Sequence, residues 1–583
     1  MRLILHRTIP DDIALRRQWN DLVFRMERPQ IFYTYQWALA VSRAYQSLTP
    51  LIWLGYEAER LVGVAALAES LQQPKQAFFL CGATADYCDF ICAPADAAAF
   101  CQQVLNDLKA RSFTGITLAN IPKDSPAVNA LTARTRGFGY HVYSRTAYHC
   151  AQVVLGENTQ RERVRASVEK RQAVKRQIAS MSKLGAVSTS HDRDSKLVTD
   201  ALPDFFRMHV ARFLAMGRTS NLVNRERRVF LRELSRLLAE NGWLANSRLI
   251  VGNRPVAFNF GFRFAGTWFW YQPTFLHEMT KNSPGLCLLS KMVADACETP
   301  DIDVVDLGLG AEEYKERFAN ASRETLHITL HASPVAHFKE ALRYRSAKIA
   351  TRSGAVESFL RRQRERIAST RHRRLLPAGK KVLRRIWRRA FSEDEVLFYG
   401  WGVSAPPDHI LFQLRPVQIE DLAEASMLYC DDPQTQAYLL RAARRLRSGG
   451  ARGFVLLAPN QIPVHFCWIT NFDGFHVAEL DQVLSSEQPD RQLIFDCWTP
   501  GSERGNRYYP RALSMLAEQL SVSGSAPWIF SASENWLSRR GILTAGFEFQ
   551  FSLIRKRWFF KRCLSRSSSG TAASALEPAV FAA

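Results

Sequence analysis

The sequence predicts an α/β (α+β) protein of mixed central sheets flanked by helices, and three observations carry that prediction. Short apolar strand-like runs alternate with helix-like stretches. The 583 residues suffice for three or four domains. Two later sections of the chain repeat one order of elements: strands, a helix, then a strand.

The first section, residues 1–155, holds strand-like runs at Leu51 to Gly55, Leu61 to Leu67, Ala77 to Leu80 and Ile116 to Ala119. Helix-like stretches Asp12 to Arg25 and Ala95 to Ala110 separate them. The second, 156–335, opens on a basic helix-like stretch from Gln160 to Lys183. Strand-like runs then follow at Ser247 to Val251, Pro255 to Phe264 and Thr267 to Gln272. Gly252-Asn253-Arg254 reads as the turn of a hairpin. Ser283-Pro284-Gly285, a helix to Cys297 and a strand from Ile302 to Leu307 complete it. Residues 336–404 read as a basic helical linker. A third folded section, 405–563, has strands at Phe454 to Leu457, Val464 to Thr470, Leu493 to Cys497, Trp528 to Ser531 and Glu548 to Ile554, with a helix from Tyr509 to Leu520. Small and polar residues in 564–583 predict a disordered tail.

The net charge of +22 is concentrated in one place. Between Lys339 and Arg389 eighteen Lys/Arg face three Glu, a net of +15. The sections on either side are therefore close to balanced. Leu375, Val382, Leu383, Ile386 and Trp387 among these arginines have the spacing of a basic amphipathic helix. Such a segment serves as a solvated linker, or meets anionic membrane headgroups or an acidic glycan. Nucleic acid is the less favoured partner, because no aromatic platform beyond Trp387 is interleaved with the charge. The longest apolar run, Leu61 to Ala68, is far below the length of a membrane span. No secretory leader is legible at the start. These features predict a cytoplasmic protein, possible at the inner membrane face as a peripheral one. Eleven cysteines without a CxxC pair and thirteen dispersed histidines predict neither a disulfide framework nor a metal site.

The residues that could do chemistry each have a structural alternative. Ser283-Pro284-Gly285 combines a capping residue, a proline suited to the first helical position and a glycine that permits close approach of a ligand; it could equally be an ordinary helix cap. Asp86 and Asp89 flank Tyr87, as acid–base groups or as turn-forming aspartates. Asp306 precedes Gly308 and Gly310 and could brace that turn. His209 falls on a helix, and Tyr314 with Lys315 on a charged helix start.

Arg504-Gly505-Asn506-Arg507, just before the helix at Tyr509, together with Asn535, Ser538 and Gly546-Phe547, resembles the GNAT acetyltransferases. In that family a strand, a glycine-rich turn and a helix hold the pyrophosphate of acetyl-CoA. The resemblance implies cofactor contacts at Arg504, Gly505 and Asn535; the family's second glycine is Arg507 here. Residues 20–330 resemble the CelD/BcsL-type, BioF2-like acetyltransferases, relatives of the FemABX transferases with paired GNAT-like lobes. Phe32, Tyr33, Tyr35 and Trp37, the Asp86-Tyr87-Cys88-Asp89-Phe90 turn, His209 with Arg212, Ser283-Pro284-Gly285, and Asp306 to Gly310 with Tyr314-Lys315 carry it, in order. This resemblance implies tandem acyltransferase lobes with a third GNAT-like domain. It implies acetyl-CoA (acyl-CoA) as cosubstrate at Ser283, Pro284, Gly285 and Leu286, without a metal. Proton work falls to Asp86, Asp89, His209, Asp306, Tyr314 and Lys315. The implied acceptor is a polysaccharide or cell-envelope precursor; aminoacyl-tRNA-dependent transfer and a non-catalytic scaffold are the alternatives.

Overall fold

The computed structural model describes residues 1–134, 139–310, 312–350, 391–402, 412–558 and 561–567. They form two units, residues 1–212 with 224–359, and residues 213–223 with the chain from 360 onward.

The first unit is built on a 13-stranded sheet. Its strands are β1 (Arg2–His6), β2 (Leu48–Glu57), β3 (Arg60–Ser70), β4 (Gln73–Phe79), β5 (Ile91–Cys92), β6 (Gly115–Pro122), β7 (His141–Val154), β8 (Val187–Asp192), β9 (Asn246–Val251), β10 (Arg254–Phe264), β11 (Thr267–Phe275), β12 (Val304–Leu309) and β13 (Ala321–His331). The helices are α1 (Ile13–Phe24), α2 (Tyr35–Ala44), α3 (Ala97–Ala110), α4 (Pro126–Arg134), α5 (Asn158–Glu169), α6 (Gln172–Ser182), α7 (Ser195–Ala215), α8 (Arg225–Ala239), α9 (Pro284–Glu298), α10 (Glu313–Glu316) and α11 (Pro334–Ala350). The expected hairpin is present, Arg254 pairing with Val251 across the Gly252 turn, where φ is +63°. The single basic helix expected over 160–183 is two, α5 and α6, broken at Arg171 in an extended conformation.

Two half-sheets of the same design are fused edge to edge. β1-β2-β3-β4 run antiparallel and β6 joins β4 in parallel. β8-β9-β10-β11 do the same, and β12 joins β11 in parallel. The fusion is an exchange. β13, from the end of the second lobe, lies between β6 and β7; β7, from the first, lies between β13 and β12. A cut at 155/156 therefore separates sequence but not structure, since each half-sheet is completed by a strand of the other. Trp37, Trp53 and Phe100 lie fully buried in the first lobe, Trp268, Phe260 and Leu288 in the second.

The second unit has an eight-stranded sheet, with a separate short hairpin. Its strands are β14 (Phe391–Trp401), β15 (Gln413–Pro416), β16 (Arg452–Leu457), β17 (Pro463–Asn471), β18 (His476–Val477), β19 (Gln482–Val483), β20 (Arg491–Trp498), β21 (Ala526–Ala532), β22 (Phe547–Trp558) and β23 (Lys561–Ser567). Helices α12 (Ile419–Leu428), α13 (Pro433–Ser448), α14 (Tyr508–Val522) and α15 (Trp536–Thr544) flank it. β15-β16-β17-β20 run antiparallel and β21 joins β20 in parallel, so the arrangement inferred for two sections recurs three times.

Two boundaries change. The basic helical linker expected over 336–404 is helical over Pro334–Ala350, but its C-terminal end belongs to the second unit's sheet: β14 is an internal strand hydrogen-bonded to β21 and β22. Val396, Leu397 and Phe398 are fully buried there, so burial on both faces places this segment in the sheet. Residues 564–567, expected in the tail, pair instead with β22 as part of β23. The basic stretch around Leu375–Trp387 and the rest of the tail lie outside the described residues.

Candidate active site

Parallel pairing between β11 and β12 is confined to Thr267 with Val304, Trp268 with Val305 and Phe269 with Asp306. Beyond that point the strands part. A gap at the carboxyl ends of parallel strands is a recurrent ligand position, because backbone groups on the facing edges are left without ladder partners.

The first lobe fills its own equivalent gap. The segment after β4 folds back so that Cys88 N–H donates to Asn120 O of β6 (3.0 Å) and Asn120 Nδ2 donates to Ala85 O (3.0 Å). This path carries the Asp86-Tyr87-Cys88-Asp89-Phe90 turn, and it sends Asp86 and Tyr87 across to the second lobe. Tyr87 Oη donates to Asp306 Oδ2 (2.8 Å), and Gln152 Nε2 of β7 donates to the same oxygen (2.7 Å). Gly308 N–H donates to Asp306 Oδ1 (2.8 Å). Asp306 is thus the brace of the glycine turn and of the lobe junction. Desolvation raises its carboxyl pKa, and the hydrogen bonds from Gln152, Gly308 and Tyr87 work against that rise.

Asp86 sits beside this brace. A Cβ at Gly308, where φ is +71°, would lie 2.6 Å from Asp86 Oδ2. The Leu309 amide hydrogen-bonds the Asp86 carboxyl, while Lys315 and Arg227 attract it from farther away. Desolvation, with Asp306 as the second cause, pushes the Asp86 pKa up to about 7. A carboxyl balanced near neutrality can both take up and release a proton at working pH.

Tyr314 and Lys315 border the same gap. Trp270 Nε1 of β11 donates to Tyr314 Oη (3.3 Å), and burial raises the phenol pKa. Lys315 is no solvated surface residue: it is 5% exposed, and Nζ donates to Leu309 O (2.7 Å) and pairs with Glu312 (2.8 Å). His209, buried on α7, faces Gln272 Nε2 at 3.4 Å; burial with Arg212 and Arg227 nearby lowers its pKa to about 3. It is neutral throughout the physiological range. Arg227 Nη2 on α8 donates to Tyr271 Oη (2.6 Å) and Gln272 Oε1 (3.1 Å), and Tyr271 Oη donates to Thr84 O.

Ser283 does not cap α9. It takes φ +45°, ψ 49°, and its hydroxyl makes no capping bond, whereas Pro284 occupies the first turn as expected. The Ser283 side chain therefore does not compete for the Gly285 amide in the first turn. Gly285 packs tightly: a Cβ there would meet Phe275 Cδ1 at 3.2 Å. Leu286 N–H donates to Ser283 O (3.0 Å). The basic helices beside α9 are partly structural. Arg161 binds the carbonyls of Thr299 (3.0 Å) and Ile302 (2.6 Å) past the end of α9, and Arg171 lies over Phe318 (4.1 Å).

Asp89 faces away from this cluster. Its Oδ1 accepts from Ser125 Oγ and from Phe90 N–H, both at 2.8 Å. Gln152 and Arg227 were not legible as site residues, because they reach the site only through strand exchange and helix packing.

In the second unit, β20 and β21 part beyond Ile494 and Ile529. Arg507, which stands where a glycine was expected, takes φ +58° at the start of α14, the left-handed conformation that glycine favours. Gly505 (φ +93°) has nothing within 4 Å of a Cβ position, and Arg504 lies over Trp498 (5.2 Å). Asn535 Oδ1 caps α15 through Ser538 N–H (3.2 Å). His465, fully buried and lowered to a pKa of about 3 by burial, bonds Thr499 Oγ1 through Nδ1 (2.7 Å). No group of residues arranged to hold a metal ion occurs among the described residues.

No curated protein matches the chain. Among solved structures it is similar to FemX, at 10% identity and a TM-score of 0.42 over 56% of this chain and 97% of that one. It is similar to a tandem GNAT protein from the clavulanic acid biosynthesis pathway, at 13% identity and a TM-score of 0.34 over 57% and 99%. L-PGS from Bacillus licheniformis aligns at 11% identity and a TM-score of 0.34 over 53% and 90%. Residues 169–316 match the family model described as an acetyltransferase (GNAT) domain. That match spans α6 to α10 and holds Ser283, Gly285, Asp306, Tyr314 and Lys315, so the second lobe is similar to a GNAT-type acetyltransferase domain.

Proposed function

We propose that the protein is an acyltransferase whose second lobe moves an acetyl or other acyl group from acyl-CoA to a hydroxyl or amine of a polysaccharide or cell-envelope precursor. The observation that carries this reading is the Asp86 carboxyl, held near neutrality where β11 and β12 part. Acyl transfer needs a base there for the incoming nucleophile.

In this reading the Ser283–Leu286 helix start takes the phosphates of the cosubstrate, and the β11 edge from Tyr271 to Thr274 faces the thioester. Asp86 accepts the proton of the attacking amine or hydroxyl. The nitrogen or oxygen bonds to the acyl carbon, the carbon–sulfur bond breaks, and Tyr314 supplies the proton to the departing thiolate. Asp306 and Lys315 hold the turn that shapes the gap, and His209 orients Gln272. A helix start packed directly on Phe275, with the Gly285 amide in its first turn, fits an anionic ligand approaching the backbone.

The basic stretch 339–389 is assigned to an anionic membrane surface; among the described residues no helix is long and apolar enough to cross one.

Titration of the intact protein with acetyl-CoA tests the reading. Saturable binding that Gly285→Leu removes while Gly505→Leu spares it supports transfer by the second lobe. No binding, with salt-sensitive binding of aminoacyl-tRNA, replaces it by aminoacyl transfer; neither ligand leaves the scaffold reading.

A further inference from the structure

A second polar cluster lies in the first lobe, on the other side of the Asp86–Phe90 turn. It borders a cleft lined by Arg28, Tyr33, Asp89, Asp124, Ser125 and Arg323, among others. Four of these residues are more than nine-tenths buried: Tyr33 is 4% exposed, Ser125 5%, Asp89 8% and Arg323 8%.

The bonding within the cleft is uneven. Both arginines converge on Asp124, Arg28 Nη1 reaching Oδ2 at 2.7 Å and Arg323 Nη2 and Nε reaching Oδ1 at 3.1 and 3.2 Å. The cations are thereby engaged. Asp89 receives only neutral donors, Ser125 Oγ and Phe90 N–H, and both land on Oδ1. Tyr33 Oη is buried without a hydrogen-bond partner. Leaving a buried phenol unpaired is costly, and a group of this kind inside a lined cleft is a waiting ligand contact.

The charge count decides what ligand suits it. Glu27, Asp89 and Asp124 outnumber Arg28 and Arg323 among the lining residues by one. An anion would have to compete with Asp124 for both guanidinium groups and approach Asp89. A primary ammonium restores the balance, giving Asp89 the cation it lacks and Tyr33 Oη a donor.

We propose that this cleft binds a substrate through a primary ammonium group, held by Asp89 and Tyr33. Desolvation pushes the Asp89 pKa up to about 7, so the empty cleft is neutralised by a proton that the ammonium replaces. Arg323 and Asp124 are the other charged groups facing Asp89. Arg323 also lies over the Tyr87 ring (5.1 Å), whose hydroxyl bonds Asp306, so the cleft adjoins the proposed transfer site through Tyr87. Calling this ligand the acyl acceptor rests on the acyltransferase reading; ammonium binding does not.

The test is a ligand-observed NMR titration of the full chain without acyl donor, using ethylamine and glucosamine, with ethanol and glucose as amine-free partners. At pH 7.5 at least one amine is expected to bind saturably and its partner at least tenfold more weakly. Asp89→Asn should abolish amine binding and Tyr33→Phe weaken it several-fold. Amine affinity should also fall about tenfold per pH unit as the pH drops below 6. Equal binding of amine and amine-free partner, or binding by neither amine, overturns the proposal. So does undiminished binding by an Asp89→Asn protein that is folded. Loss of acetyl-CoA binding in a parallel titration would overturn the acyltransferase reading and leave these results standing.

Discussion

Asp86 Oδ2 occupies the space that a side chain at Gly308 would need, 2.6 Å from the position of its Cβ. One residue comes from the turn that closes the first lobe's gap, the other from the turn that opens the second lobe's gap.

Gly308→Ala should therefore be costly twice over, through its φ of +71° and through displacement of Asp86. We expect destabilisation of about 1–3 kcal/mol, read as a lower melting temperature. Activity should fall further than in Gly310→Ala, where the nearest obstacle is the flexible end of Glu312.

Asp86→Asn should lower kcat by about 10²–10⁴-fold. In the native protein kcat/KM should climb as the pH rises through about 7, where Asp86 loses its proton, and the variant should lose that limb. A retained limb would assign the proton to another group.

Asp89→Asn tests the cost of burying charge. The folded carboxyl titrates near 7, above its unfolded value, so the folded state holds the extra proton and stability declines as the pH rises from about 4 to 7. Asparagine can still accept from Ser125 and Phe90. The variant should gain melting temperature relative to the native protein at pH 8 and show little difference at pH 4, with an upper bound of about 4 kcal/mol.

Asp306→Asn should be destabilising at every pH where the native carboxylate is ionised. Three donors converge on two oxygens, and an amide NH₂ would face at least one of them. A loss of about 1–3 kcal/mol is expected by chemical denaturation.

Arg507→Gly should stabilise the second unit. A non-glycine residue in the left-handed region costs roughly 1 kcal/mol, and Arg507 sits there at φ +58°. A rise of the corresponding unfolding transition checks it.

The strands with strong apolar runs, such as β3, β10 and β17, were legible in the sequence, as were the helices with a turn signal at their start. What was missed shares a physical cause. β7 and β13 carry His, Tyr, Arg and Thr on long strands whose partners lie in the other lobe, so no local pattern marks them. β14 hides at the end of the most basic segment, and its partners β21 and β22 come more than a hundred residues later. The same exchange explains the site. Asp86, Asp306, Tyr314 and Lys315 were visible as motif residues, but Gln152 reaches Asp306, and Arg323 the Tyr87 ring, only because β7 and β13 change places. Ser283 was read as a cap by residue type, and its left-handed backbone turns the hydroxyl away from that task.

The most direct measurement of the central claim is calorimetric titration of acetyl-CoA into the intact protein, its Gly285→Leu variant and its Asp86→Asn variant. The account predicts saturable binding by the native protein, none by a folded Gly285→Leu variant, and near-native binding by Asp86→Asn with turnover lost. Acetyl-CoA binding that survives Gly285→Leu, or an absence of binding to the native chain, would contradict placement of acyl transfer in the second lobe.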